Sequence, residues 1–222
     1  MTRTEIIGEC RLILGDCREV LPTLGRVDCV VTDPPYGVKY SSGWDNKFRD
    51  VTIANDGDVC VRDLALRICA HERAIVFGSW KAPKPANVGL CLIWDKGTVG
   101  MGDLSLPWFP CTEEIYVMGG GYVGTRTSAV MRYVGRNENH PTEKPVPLLL
   151  ELIAKLPQED VVCDPFMGSG STGVACVKMN HPFIGIEIEE RYFDIACRRI
   201  EAATKEPRLP LPEPKMKQGA ML

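Results

Sequence analysis

The chain has 222 residues, 45% hydrophobic and 25% charged, with 26 Lys and Arg against 29 Asp and Glu for a formal net charge of −3. Those proportions are those of one ordinary globular domain with a substantial core. They exclude a protein that coats nucleic acid through general basic charge, and no apolar run reaches the roughly 18–20 residues that cross a bilayer.

In chain order, short β-branched runs alternate with amphipathic stretches. Strands are predicted at 11–16 (RLILGD), 27–33 (VDCVVTD), 73–79, 90–95, 113–118, 160–164 and 182–187. Apolar residues recurring at three- and four-residue steps predict helices at 59–70, 145–156, 171–179 and 190–203. That alternation predicts an α/β fold: a doubly wound, mostly parallel seven-stranded sheet in a single domain over residues 1–204. Residues 37–57 and, on either side of the strand 113–118, the rest of 96–141 carry no such period and read as long functional loops. The tail 205–222 is Pro-rich and is expected to be disordered. The ten cysteines are scattered without a CxxC pair and the start MTRTEIIGEC is not signal-like, so reduced thiols in a cytoplasm are expected. His71, His140 and His181 are too far apart for a metal-ligand motif, so no metal is expected.

In open α/β sheets ligands bind beyond the carboxyl ends of the strands, and three such ends stand out: LGD, TDPPY and CDPFMGSGSTG. The last contains Gly168-Ser169-Gly170-Ser171-Thr172-Gly173, a GxGxxG that follows a strand and opens a helix. Glycines allow a tight turn and close approach to a ligand, and the helix start offers free N–H groups. Glu187, ending the next strand, can accept from both hydroxyls of a ribose. This is the pattern of a nucleoside-cofactor site, and alone it fits NAD as well as other adenosine-containing cofactors.

Asp33-Pro34-Pro35-Tyr36 discriminates between them. Two prolines continue neither a sheet ladder nor a helix, so the chain is held in an extended turn. Asp33 presents a carboxylate, Pro34 a carbonyl whose neighbour has no N–H, and Tyr36 a flat ring. Two acceptors and a stacking face suit an exocyclic amino group on a planar base. Hydrogen bonds from its two protons favour a pyramidal nitrogen with its lone pair freed toward an electrophile.

Taken together, these residues resemble the S-adenosylmethionine-dependent DNA amino-methyltransferases (the N6-adenine and N4-cytosine family), in the circularly permuted group whose catalytic motif precedes the cofactor motif. The resemblance implies a Rossmann-like methyltransferase sheet, with Asp33, Pro34, Pro35 and Tyr36 as the catalytic motif and Asp33 also facing the cofactor. The cofactor loop corresponds to Asp164, Phe166, Gly168, Ser169, Gly170, Ser171 and Thr172, and the ribose acid to Glu187. The HPTxKP element corresponds to His140-Pro141-Thr142-Glu143-Lys144-Pro145 at the methionine end, with Thr142 and Lys144 at the cofactor carboxylate and Asp164 or a carbonyl at its ammonium. Asp16 of LGDC is placed near the adenine.

Reaching an amino group of a duplex requires flipping the nucleotide out, so the partner implied is double-stranded DNA. Lys39, Lys47 and Arg49 interleave with Trp44 in one loop, and Arg126, Arg132 and Arg136 lie in the other, so both loops are expected to face DNA and these residues are the candidates for DNA contact. The short second loop stands where the family has a larger recognition insert. An Asp at the head of the motif resembles the adenine-N6 enzymes. Cytosine-N4 transfer and a non-catalytic DNA- or cofactor-binding subunit are the alternatives, with a homodimer and a bacterial or phage-encoded cytoplasmic setting as further expectations.

Overall fold

The computed structural model describes residues 3–35, 60–69, 72–97, 107–134 and 143–206. Its elements in chain order are β1 (Arg3–Ile7), β2 (Cys10–Leu14), α1 (Cys17–Val20) running into a 3-10 turn, β3 (Cys29–Thr32), α2 (Cys60–Cys69), β4 (Arg73–Gly78), β5 (Val88–Asp95), β6 (Thr112–Gly119), β7 (Val130–Arg132), α3 (Val146–Ile153), β8 (Val162–Asp164), α4 (Ser171–Met179), β9 (Phe183–Glu187) and α5 (Glu190–Lys205). The strands form one sheet in the order β1-β2-β9-β8-β3-β4-β6-β5-β7. Five of the eight pairings are parallel; β1 with β2, β4 with β6 and β6 with β5 are antiparallel.

Side-chain alternation divides the core between the two faces. Cys29 and Val31 of β3, with Ile75 and Phe77 of β4, pack against Leu148, Leu149 and Leu152 of α3, Ala175 of α4 and Phe193 of α5. Val30, Ala74 and Val76 face the other way, onto Cys17 and Val20 of α1 and Ala65 and Cys69 of α2. The central strands are therefore apolar through their middle positions, Cys29–Val31 and Ala74–Phe77, with polar residues only at strand ends, as a sheet covered on both faces requires. All ten cysteines are free thiols, and no helix among the described residues is long and apolar enough to cross a membrane.

The sheet has nine strands where seven are expected from the sequence. β1 (RTEII) is an edge strand with three of its five residues exposed, joined to β2 by Gly8-Glu9 with Gly8 at φ 58, so it carries little apolar signal. β7 has three residues, too few to show a period, and lies inside the stretch read as a loop. The other predicted loop, 37–57, and the tail from 207 lie outside the described residues.

Candidate active site

β2, β9, β8 and β3 are neighbours and run parallel, so their carboxyl ends lie side by side. Asp16, Glu187, Asp164 and Asp33 thus stand along one edge, and Gly15 N donates to Glu187 O at 2.9 Å.

The glycine loop is built inward from Asp164, which is 2% exposed. Its Oδ1 accepts from Thr32 Oγ1 at 2.6 Å and Phe166 N at 3.1 Å, and its Oδ2 from Thr172 Oγ1 at 2.7 Å. Asp164 therefore ties the end of β3 to the loop and to the first turn of α4. Burial pushes its carboxyl up to about 6 against those three donors, with Asp33 adding repulsion. Gly168 and Gly170 take φ values of 52 and 83, conformations that side chains oppose. A Cβ at Gly170 would lie 2.8 Å from Ala196 Cβ, and one at Gly173 2.5 Å from Ile200 Cδ1. Gly170 and Gly173 thus serve the close approach of α5.

Glu187 closes the loop from the neighbouring strand. Its Oε2 accepts from Gly168 N and its Oε1 from Glu189 N, both at 2.8 Å. Each carboxylate oxygen has two acceptor directions, so a pair of ligand hydroxyls can be received as well. Burial pushes the Glu187 carboxyl up to about 7, and the backbone donors only partly offset it. Asp16 caps α1 by accepting from Arg18 N at 2.9 Å, and the Arg18 guanidinium holds its carboxyl below the usual range.

Asp33 follows β3, with Pro34 and Pro35 buried behind it. Lys144 Nζ lies 2.5 Å from Asp33 Oδ2 and 3.4 Å from Glu113 Oε2, and Lys96 Nζ lies 2.9 Å from Glu113 Oε1. The Lys144 ammonium also sits over the rings of Phe77 (5.2 Å) and Trp94 (5.9 Å). Burial pulls this ammonium down, but Asp33 and Glu113 outweigh it and hold Lys144 above the ordinary lysine value. Burial likewise pushes Glu113 up, and the two lysines more than reverse it.

Several residues expected from the sequence are placed differently. Lys144, expected at a cofactor carboxylate, has its ammonium on Asp33 and Glu113, because it enters between β3 and the start of β6. The Ser169 and Ser171 hydroxyls face Arg199 of α5, whose Nη1 lies 2.8 and 3.3 Å away and also donates to Ser169 O at 2.7 Å. Arg199 further pairs with Glu143 at 2.6 Å. Arg132 is exposed at the end of β7, beside Asp95 at 2.7 Å. Arg126 is not near this edge: β6 runs away from it, and the chain beyond is held to the end of α3 by Val123 N donating to Lys155 O at 2.8 Å. Tyr36, Lys39, Trp44, Lys47, Arg49, Arg136 and Thr142 lie outside the described residues.

Sequence reasoning missed Glu113, Lys96 and Arg199, which carry no motif and act through pairings distant in sequence. It also passed over Trp80 and Trp108, 70% and 77% exposed, for which a tryptophan close to prolines was the available signal in each case.

Residues 68–198 match the family model described as DNA methylase, of N6 and N4 type. YubD of Escherichia coli (strain K12), which carries a methylase name, is 30% identical over 223 aligned residues covering 88% of this chain and 92% of that protein. The type II methyltransferase M2.DpnII of Streptococcus pneumoniae is 42% identical over 82 residues, and the DNA adenine methyltransferase YhdJ of E. coli 44% over 68. These two matches cover 36% and 30% of this chain but only 30% and 23% of the relatives' own lengths. Among solved structures, the M1.HpyAVI–SAM complex superposes with a TM-score of 0.63 at 21% identity, over 86% of this chain and 99% of the other. The cytosine-N4-specific PvuII DNA methyltransferase superposes with a TM-score of 0.67 at 13% identity, over 87% and 86%.

Proposed function

The chain belongs to the DNA methylase family of N6 and N4 type, and we propose that it moves a methyl group from S-adenosylmethionine to the N6 amino group of an adenine flipped out of double-stranded DNA. The observation that carries this reading is the adjacency of β3 and β8, paired Cys29 with Val162 and Val30 with Cys163. It sets the acceptor turn Asp33-Pro34-Pro35 beside the loop Asp164–Gly173, and Thr32 Oγ1 fastens the two ends through Asp164. The strand bearing the acceptor precedes the strand bearing the loop, which we read as a circular permutation.

The residues present fit S-adenosylmethionine. Glu187 retains acceptor capacity for ribose hydroxyls, the loop turns tightly at Gly168, and Asp16 stands beside Glu187 for the adenine. Bound there, this sulfonium supplies an electrophilic methyl group. Asp33 accepts from one proton of the target amino group and the Pro34 carbonyl from the other, which releases the nitrogen lone pair toward the methyl carbon. Tyr36 stacks on the flipped base, with Thr142 and the loop N–H groups at the amino-acid end. Lys39, Trp44, Lys47, Arg49, Arg132 and Arg136 are the proposed DNA contacts. Arg126 is dropped from that set.

Adenine is favoured by the Asp that heads the motif and by the relative named as an adenine methyltransferase; the fold shared with a cytosine-N4 enzyme makes cytosine the second reading. The test is transfer of labelled methyl from S-adenosylmethionine to unmethylated DNA, followed by mass spectrometry of the nucleosides. N6-methyladenine supports the proposal and N4-methylcytosine replaces it with the second reading. Absence of both, with the cofactor bound, leaves a non-catalytic subunit.

A further inference from the structure

A chain of alternating charge runs through the candidate site: Lys96, Glu113, Lys144 and Asp33, with successive contacts of 2.9, 3.4 and 2.5 Å. It draws on four separate parts of the fold, namely the residue after β5, the second residue of β6, the segment ahead of α3 and the end of β3. Lys144 is 7% exposed and lies over two aromatic rings. Trp94, one of them, is itself fixed by donating Nε1–H to Tyr133 O at 2.8 Å.

Stability does not account for this arrangement. Removing charges from water costs several kcal/mol per ion, and well-packed apolar residues of similar size commonly serve as well or better. What a buried alternating chain does supply is fixed orientation. A terminal carboxylate turns easily about its last torsion, and an amino-group acceptor must hold one oxygen within hydrogen-bond reach of the target nitrogen. Lys144 holds Asp33 Oδ2 and so sets where Oδ1 points. An ammonium committed to Asp33 alone would draw off much of the carboxylate's strength as an acceptor. Glu113 takes a share of that charge, and Lys96 balances Glu113.

We propose that Lys144 and Glu113 are positioning residues for methyl transfer, Lys144 by orienting Asp33 and Glu113 by seating and partly neutralising Lys144. The inference rests on the assignment of Asp33 as the amino-group acceptor. Among the described residues, the charged groups facing this chain are Asp33 and Lys144 themselves, Glu113 and Lys96, Asp164 near Asp33, and the Glu143–Arg199 pair on the adjoining turn.

The experiment compares wild type, Lys144→Met and Glu113→Gln in methyl transfer to DNA, with S-adenosylmethionine affinity by calorimetry and folding by circular dichroism. Lys144→Met should lower kcat about 100-fold, the order expected for a misplaced catalytic group, with cofactor affinity unchanged. Glu113→Gln should lower kcat less. The acid limb of the pH–rate profile should move in opposite directions: upward when Lys144 is lost and Asp33 loses its cation, downward when Glu113 is lost and Lys144 bears on Asp33 alone. A merely structural role would move neither limb. Nitrogen-15 NMR of lysine-labelled protein reads the pairing without turnover, as a protected Lys144 ammonium signal that shifts in Glu113→Gln and in Asp33→Asn. Loss of cofactor affinity in step with kcat in Lys144→Met would overturn the inference, as would a solvent-exchanging Lys144 ammonium in wild type. Wild-type protein that transfers no methyl group overturns the functional reading first and this inference with it.

Discussion

The two edges of the sheet use the same residue types to opposite ends. At the amino edge, where β4 begins, Arg73 pairs with Asp160 and donates Nε–H to Gly120 O at 3.0 Å. Nearby, Asp28 takes Arg26 Nε at 2.5 Å and Val161 N at 2.9 Å. Each of these buried carboxylates has a guanidinium. At the carboxyl edge Asp164 and Glu187 are as deeply buried but receive only neutral donors, and burial pushes them up to about 6 and about 7. Asp33 is given a cation, but one that it shares with Glu113, and Asp16 at the far end of the row has the half-exposed Arg18. Charges matched within the fold hold it together, whereas buried carboxylates left with neutral partners can gain from a ligand's hydroxyl or ammonium donors.

The comparison is broken most sharply at Asp33. Asp33→Asn keeps the shape but removes the anionic acceptor, and we expect kcat to fall about 1000-fold, the upper range for deleting one transition-state hydrogen-bonding group. S-adenosylmethionine affinity should stay near wild type by calorimetry. A variant that keeps its transfer rate would remove Asp33 from the acceptor role.

The amino edge should answer in stability instead. Arg73→Leu leaves Asp160 buried without its cation, which costs about 3–5 kcal/mol, read as a lowered urea midpoint. Turnover per folded molecule should not change. Replacing Asp160 by Leu as well should recover much of the loss, since a buried pair exchanged for apolar groups is often neutral. No recovery would mean that Arg73 matters through Gly120 and the adjoining turn and not through the pair.

A third and smaller effect follows from Glu187. Its folded value of about 7 lies above the ordinary 4.5. The stability it contributes is therefore full below about 4.5 and is lost as pH rises through about 7. Asp164 acts in the same direction over a lower window, from the ordinary 3.8 to about 6. Ligand-free protein should accordingly melt at a falling temperature between about pH 4 and about pH 7. In the proposed binding mode the dependence runs the other way, because ribose hydroxyls would donate to the ionised carboxylate. Cofactor affinity should rise through the same interval, and Glu187→Gln should flatten that slope. A slope that survives the substitution would assign the titration elsewhere.

What was legible in the sequence was whatever a residue dictates about its own backbone. Pro34-Pro35 declares an extended turn wherever it stands, and the apolar spacing of α4 after its glycine run gives the same 171–179 that the structure closes with left-handed Gly170 and Asn180. The glycines at 119–121 fall in the stretch read as a loop, and their purpose shows only in the sheet. The register of β6 sets Gly119 opposite Arg73, and a Cβ at Gly119 would lie 1.9 Å from Glu72 O, so this turn belongs to the amino edge and not to a DNA-facing loop. Lys144 and Asp33 are 111 residues apart, and Glu113 reads as an ordinary strand start. Side chains that act through such pairings become visible only once the strand order is known.

The same register separates the two described arginines once grouped as DNA contacts. Arg132 ends β7, which pairs in parallel with β5 through Asp95 and so points toward the edge that holds Asp33. Arg126 follows a segment held beneath α3 at the other edge. Arg132 is 78% exposed despite its contact with Asp95, a pairing that a phosphate can replace at little cost. Arg132→Ala should weaken DNA binding uniformly across sequences and reduce the slope of log affinity against log salt by about 1. Arg126→Ala should leave that slope unchanged. Fluorescence anisotropy with a labelled duplex over a salt series measures both. Equal effects would mean that the duplex reaches both edges of the sheet, and would return the glycine turn to the DNA-facing surface.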